Sequence, residues 1–367
     1  MLKIGVNTRL LLKDRLEGIG RFTFEVLKRM TNSHPEIEFH FFFDRPFHQD
    51  FIFGDNVIPH VLSPQARHPF LFIWYFNRSI KAALKKEKID LFFSPDGYLS
   101  LTTNVPQFPV IHDLNFCHRP KDLPFLMRWY YLKYFPKFAK IGAHIFTVSE
   151  FSKKDIHEQF NISNNRISVT YNGHEHIGLS TFQSAHNSPY ILYVGSLHAR
   201  KNVANTLLAF DELKQNDRFK DLQMIIVGQK MFSDNSIESV YHQMSSQKDV
   251  IFTGRISDDH LQALYKNAKL LVNFSFFEGF GIPIIEAFKQ GTPVALSNAT
   301  CFPEVAGEAG YYADPYDVRD MSNTIQEALL DENVDQRIAL GKERLQYFSW
   351  DHSAQIIMDQ ILKYHHA

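Results

Sequence analysis

The sequence predicts an α/β protein made of two doubly wound parallel sheets in series, each with its own core. Three observations predict it. Short apolar runs alternate with helical patterns along both halves of the chain, and a polar, proline-ended stretch interrupts the alternation near the middle. The 367 residues, 44% hydrophobic and 22% charged, suffice for two ordinary globular domains. Strand–helix alternation marks parallel βαβ units, whose crossovers need a helix, rather than an antiparallel sandwich.

In the first half the apolar runs are LKIGVN (2–7), EFHFFF (38–43), DLFFS (90–94), FPVIH (108–112), HIFTVS (144–149) and ISVTYN (167–172). Most end in polar or turn-forming residues, as strands do. Between them, GRFTFEVLKRM (20–30) and WYFNRSIKAALKKEK (74–88) carry helical patterns. Ser149 stands where it can cap a helix entered at 149–156. After Asn172-Gly173, the stretch HEHIGLSTFQSAHNSP (174–189) reads as a linker, with His174 and His176 as a solvated pair. Alternation then resumes with YILYVGS (190–196), LQMIIVG (222–228), VIFTG (250–254), LLVNFS (270–275), TPVALS (292–297) and GYYADP (310–315). Residues 335–366 are amphipathic and helical, with no strand left to join. The expected division is a first domain over 1–175, a linker over 176–189, a second domain over 190–345, and a final segment, 346–367, packing back on the first domain.

The net charge of −1 is unevenly spread: residues 1–180 carry 23 basic against 17 acidic side chains, and 181–367 carry 16 against 23. A basic first half suits a negatively charged partner such as anionic lipid or phosphate, although random scatter of surface charge explains it equally well. Cys117 and Cys301 form no CxxC pattern, so neither a disulfide framework nor a zinc knuckle is expected. The N-terminus lacks a signal peptide's apolar run, and the longest apolar run, FLFIWYF (70–76), is far too short to span a bilayer. The expectation is a cytoplasmic protein, with a peripheral place on the inner membrane face left open, and no nucleic-acid partner.

Chemistry concentrates in two stretches. Gly195 and Ser196 open GSLHARKN (195–202), which follows the strand YILYV and precedes a helix, VANTLLAFDEL. A turn into a helix N-terminus suits an anion, and adjacent Arg200 and Lys201 add two full charges, enough to neutralise a diphosphate. An exposed basic pair is the plain alternative, but a helix start is where cations are unfavourable. In FSFFEGFGIPIIEAFKQGTPVA (274–295), Glu278 sits on a loop after a strand, and Gly279 and Gly281 allow close backbone approach on either side of Phe280. Ile282 and Pro283 then start a helix that carries Glu286 about one turn in. A carboxylate can accept from two vicinal hydroxyls, as on a sugar or ribose. Taken singly, each Glu reads as an ordinary surface acid. In open α/β sheets ligands bind at the carboxyl ends of strands, so a cleft between the two sheets is the expected site.

Together these pieces resemble a known family. G-x4-R-K-N, then F-T-G-R, then E-G-F-G-I-P-I-I-E-A followed by G-T-P-V resembles the retaining, GT-B-fold nucleotide-sugar glycosyltransferases of family 4, with two Rossmann-like domains. The resemblance covers nearly the whole chain and is strongest over 190–310. It implies that Glu278 contacts the donor sugar, that Glu286 holds the ribose hydroxyls, and that Arg200 and Lys201 hold the diphosphate and stabilise it as a leaving group. The base would lie against the turn containing Gly254, Arg255 and Ile256. In the first domain, Gly18 and Gly20 resemble the glycine loop after the first strand, and His112 corresponds to a histidine aimed at the donor sugar. A histidine at a strand end is otherwise often only a turn partner. The context HDLNFCHRP (112–120) is similar to the mannosyltransferase-like branch, which favours GDP-mannose with UDP-sugars also open.

This chain departs from the family pattern at Ser196, where some relatives carry a second arginine, and at Asn273-Phe274, where Pro-Ser is common. No Asp-x-Asp stands at a strand end and no HExxH or Cys/His cluster is evident, so metal-independent catalysis without a cofactor is expected. The implied reaction moves a hexose to a glycan or lipid-linked hydroxyl, in cell-surface polysaccharide or glycoconjugate synthesis. The acceptor hydroxyl would attack the face that the diphosphate leaves, with its proton passing to the departing phosphate oxygen. The stretch 119–140 interleaves cations with aromatics and reads either as an acceptor or lipid-surface element or as a core helix with lysines reaching outward. Two other classes stay open: a nucleotide-sugar 2-epimerase of the same architecture, which normally needs paired acid/base carboxylates, and a non-catalytic sugar-nucleotide-binding protein.

Overall fold

The computed structural model describes residues 1–13, 16, 18–175, 177–179, 188–229 and 235–366. By its internal contacts the chain divides into two units, residues 1–173 with 349–367, and residues 174–348. The division therefore falls at Gly173, just before the expected linker, most of which (176 and 180–187, with His176) lies outside the described residues.

The first unit is a parallel sheet of β1 (Lys3–Asn7), β2 (Glu38–Phe43), β3 (Val57–Val61), β4 (Leu91–Ser94) and β5 (Gln107–Pro109), in the order β3-β2-β1-β4-β5. A bridge from Val110 to Phe146 continues it into β6 (Ile145–Thr147) and β7 (Ile167–Val169), also parallel. Strand β3 goes unnoticed in the sequence because Pro59 interrupts the run. It pairs with β2 alone, and an edge strand tolerates a residue with no N–H to donate. The run 108–112 is strand only to Pro109, which leaves His112 on the segment beyond it. Gly20 is not in a loop: it lies in the first turn of helix Ile19–Ser33, with Gly18 at its N-cap in a positive-φ conformation. Ser149 caps its helix as expected, its hydroxyl accepting from the Ser152 amide at 3.0 Å.

The second unit is a six-stranded parallel sheet. Its strands are β8 (Tyr190–Val194), β9 (Gln223–Val227), β10 (Val250–Gly254), β11 (Leu270–Asn273), β12 (Val294–Ser297) and β13 (Gly310–Ala313), in the order β10-β9-β8-β11-β12-β13. Both units thus reverse direction next to their first strand, between β1 and β4 and between β8 and β11. That reversal opens a crevice at the carboxyl ends of the strands. Strands buried on both faces read as continuous apolar runs, as YILYV, QMIIV and LLVN do.

The helical stretch 335–366 is two helices in different units, and the final segment expected over 346–367 falls with the first unit from Ser349 onward. Val334–Arg344 ends in a tight turn, Leu345–Tyr347, and belongs to the second unit. Ser349 starts a new helix, its hydroxyl accepting from the His352 amide, and this helix, Trp350–His365, lies in the first unit. There Trp350, fully buried, meets Phe22 edge-on at 5.8 Å, and Arg29 donates to Asp351 at 2.5 Å. Ile357, Met358 and Ile361 complete the buried face.

Candidate functional site

In the second unit, the loops after β8 and β11 meet at the reversal point. Arg200 and Lys201 do not start the following helix. They lie in a short 3-10 turn, Ala199–Lys201, and Asn202 in a left-handed conformation separates that turn from helix Val203–Leu213. Asn202 donates to the carbonyls of Phe274 (2.9 Å) and Pro315 (2.7 Å), which ties the cationic turn to the β11 loop. Across that tie, Arg200 Nη1 donates to Glu278 Oε2 at 2.8 Å and to the Phe277 carbonyl at 2.9 Å, while Lys201 Nζ pairs with Glu278 Oε1. The carboxylate resolves the electrostatic misfit of two cations near a helix start.

Glu278 is buried, and burial alone would raise its pKa; the charges and hydrogen bonds of Arg200 and Lys201 outweigh that and hold it down to about 2. The departure at Asn273 has a structural role. Its Oδ1 accepts from the Ser275 hydroxyl at 2.6 Å and faces the Ser275 amide at 3.3 Å, while the same hydroxyl lies 3.0 Å from Glu278 Oε1. A local side-chain turn therefore sets the loop that carries the glutamate. Two cations meet on one carboxylate at the reversal point, beside the N-terminus of helix Ile282–Gln290, which adds its dipole. Gly281 begins that helix at φ +95°, and a Cβ there would come within 2.7 Å of the Phe302 ring. Only glycine fits.

The remaining expected residues distribute as follows. Glu286 is one turn into the helix and accepts from the Tyr265 hydroxyl at 2.6 Å. Tyr265 is buried, and Thr292 of the G-T-P-V stretch donates to its carbonyl, fixing the helix it sits on. This orienting tyrosine has no sequence signal, because helix Asp258–Asn267 gives no hint of which side chain faces Glu286. Phe280 is a core residue, 3% exposed and edge-on to Phe348 at 5.4 Å, so only its backbone borders the site. Gly279 is buried and Ile282 half-buried on the same loop. Gly195 and Ser196 leave β8, Tyr193 donating to the Ser196 carbonyl. Gly228 approaches so closely that a Cβ on it would lie 1.8 Å from the Gly195 oxygen. Gly254 ends β10, its carbonyl accepting from the Gly228 amide, and Arg255 and Ile256 follow at the same end of the sheet.

His112, Gly18 and Gly20 belong to the first unit. His112 Nε2 lies 2.8 Å from the Pro95 carbonyl, which can only accept, so this nitrogen carries the proton and Nδ1 remains an acceptor in the neutral ring. Burial lowers its pKa against the opposing pull of that hydrogen bond, Asp113 and Asp96. The cluster most like a metal site among the described residues is His40, His60 and Glu87, which the sequence did not reveal. The two imidazoles are nearly coplanar (9°) with nitrogens 2.9 Å apart, and Glu38 lies 2.5 Å from the other His40 nitrogen. That is an in-line N–H···N hydrogen bond. A metal would need both nitrogens bare and turned toward a third point.

Fold and site together define an α/β protein of two parallel sheets with a buried carboxylate held between two cations at a reversal point, and the comparisons give its family. Residues 180–344 match the family described as Glycosyl transferases group 1, and residues 16–176 the family described as Glycosyltransferase Family 4. The chain belongs to this glycosyltransferase family, in which GT-B is the shared architecture. It is 29% identical to the O-antigen chain mannosyltransferase B of Escherichia coli, over 93% of this chain and 94% of that one. It is 26% identical to the O-antigen chain mannosyltransferase RfbU of Salmonella typhimurium, over 73% and 74%. Among solved structures, a sucrose-phosphate synthase from Thermosynechococcus elongatus superposes with a TM-score of 0.78 at 18% identity over 99% of both chains. Anabaena HepE in complex with UDP and glucose gives 0.72 at 15% identity, over 98% and 99%.

Because the folded pKa of Glu278 is depressed, its pairing stabilises the protein above the ordinary carboxylate pKa and is lost as pH falls from about 4.5 to about 2. Glu278→Gln should cost on the order of 3 kcal/mol at neutral pH, by stranding two cations. In urea titrations, the gap between wild type and variant should close as pH falls through that window.

Proposed function

We propose that the chain transfers a hexose, with retention, from a nucleoside-diphosphate sugar to a glycan or lipid-linked hydroxyl in cell-surface polysaccharide synthesis. The observation that carries this reading is the meeting of Arg200 and Lys201 on the buried carboxylate of Glu278 at the second unit's reversal point. A diphosphate satisfies both cations, and the charge that grows on it as the glycosidic bond breaks is stabilised there without a metal. With its cations drawn to phosphate, Glu278 becomes available to sugar hydroxyls, while Glu286, oriented by Tyr265, is suited to ribose hydroxyls. Relatives named as mannosyltransferases support mannose, and GDP-mannose is the favoured donor.

A membrane-surface location accompanies this reading. No helix among the described residues is long and apolar enough to cross a membrane. Two helices of the first unit, Pro69–Trp74 and Phe125–Ile141, instead leave Phe70, Trp74 and Phe125 59%, 58% and 72% exposed, with Phe70 and Trp129 in ring contact. No acidic residue occurs over 56–86 or 123–149, while Arg67, Lys133 and Lys137 are exposed. Aromatics among unopposed cations fit an anionic bilayer surface.

The double substitution Arg200→Ala with Lys201→Ala should lower kcat/KM for mannosyl transfer from GDP-mannose by at least about 100-fold. Near-wild-type transfer would refute the scheme, and conversion of the donor in the absence of any acceptor would favour the epimerase. On the membrane, the protein should sediment with vesicles containing phosphatidylglycerol and not with pure phosphatidylcholine, and Phe70→Ser with Trp74→Ser should release it. Equal sedimentation with both vesicle types, or none, contradicts the surface reading.

A further inference from the structure

We propose that His40 and His60 form a proton-operated latch, which fastens the edge strand β3 to β2 and lets it open when both imidazoles are charged. The latch is independent of the transferase chemistry. Strand β3 pairs with β2 alone, Pro59 in it has no N–H to donate, and its last residue, Val61, is 52% exposed. Of its five residues Val57 alone is buried. A strand so placed belongs to the low-stability end of a fold, where local opening is easiest. Both flanks of β3 are fixed. Just before it, Asn56 Nδ2 lies within 3.2 Å of the carbonyls of Thr31, His34 and Ile37, and beyond it the Ala66 amide donates to Asp44 at 2.9 Å. Between these flanks, His60 supplies the side-chain hydrogen bond across to β2.

The positions of the protons make that bond conditional. Glu38 takes the Lys3 ammonium at 2.7 Å and lies 2.5 Å from His40 Nε2. Hydrogen bonds from Lys3 and His40 hold the Glu38 pKa down, so its carboxylate accepts and His40 Nε2 carries a proton. In the neutral ring His40 Nδ1 is then bare, and His60 Nε2–H donates to it across 2.9 Å. One added proton leaves the pair bonded, because a single hydrogen still lies between the two nitrogens. A second added proton puts a hydrogen on both. Donor then faces donor, between two like charges whose ring centres are 5.1 Å apart.

The surroundings offer no relief for that second charge. Lys3 on β1 and Glu38 on β2 already answer each other, and so do Lys86 and Glu87, paired at 3.0 Å at the end of helix Lys81–Lys86. Glu87 brings a carboxylate oxygen within 4.8 Å of both imidazoles, and the core ring of Phe42, 5.3 Å from His60, adds no charge. Burial and the charge of His40 lower the His60 pKa against the pull of Glu87, and Lys86 adds to the lowering. The closed strand therefore binds fewer protons than the open one. The latch is shut above the ordinary imidazole pKa of about 6.5, and opening grows by up to about tenfold for each pH unit below it.

Hydrogen exchange of the full chain, followed by mass spectrometry and corrected for the intrinsic exchange rate, reads the opening of each strand separately. Between about pH 7.5 and about pH 5.5, residues 57–61 should lose about tenfold in protection while β1 and β4 keep theirs. His60→Gln, whose amide stands in for Nε2–H and takes up no proton, should remove that pH dependence. Unchanged protection of residues 57–61, the same loss in His60→Gln, or an equal loss across β1 and β4 overturns the proposal. NMR titration of the unaltered chain gives a second reading that needs no variant. One of the two imidazoles should titrate near or above its ordinary pKa and the other clearly below it. Two separate titrations at the ordinary value contradict the latch.

Discussion

The interaction on which the site depends is the buried carboxylate of Glu278 held between Arg200 and Lys201. Parallel topology creates it, since the loops after β8 and β11 are brought together only where the strand order reverses. Every supporting contact serves the same end: Asn202 ties the cationic turn to the β11 loop, Asn273 and Ser275 set the curve of that loop, and Gly281 lets the next helix start against Phe302. Two cations desolvated together without a counter-charge would be costly, so the glutamate stabilises the turn that carries them.

The two units use one topological position for different electrostatic purposes. In the first unit a single arginine meets a single aspartate, closed over by Asn7 and Tyr98, and the pair is neutral. In the second, the carboxylate of Glu278 meets both an arginine and a lysine.

Much of this was legible in the sequence. Apolar, β-branched and aromatic runs flanked by turn residues marked each strand except β3, whose Pro59 is tolerated because only one neighbour pairs with it. The Gly–Pro turn between Glu278 and Glu286 revealed a loop entering a helix, and the helix begins at Ile282. What stayed hidden depends on contacts between distant segments. The break expected at 345–346 falls three residues later, at Phe348–Ser349, because Trp350 has its place beside Phe22, over three hundred residues earlier. Tyr265 on Glu286, His60 on His40 and the stranded carbonyl of Asn115 are likewise products of packing, with no periodicity to announce them. Gly20 misled because a glycine pair resembling a loop turned out to be a helix cap and its first turn.

The central claim is that the second unit's crevice recognises a pyrophosphate. Calorimetric titration of the unaltered protein with GDP and UDP, set against GMP and UMP, tests it most directly. One of the diphosphates should bind at least about tenfold more tightly than its monophosphate, because the second phosphate meets the Arg200–Lys201 pair. Equal affinity for diphosphate and monophosphate would contradict the account.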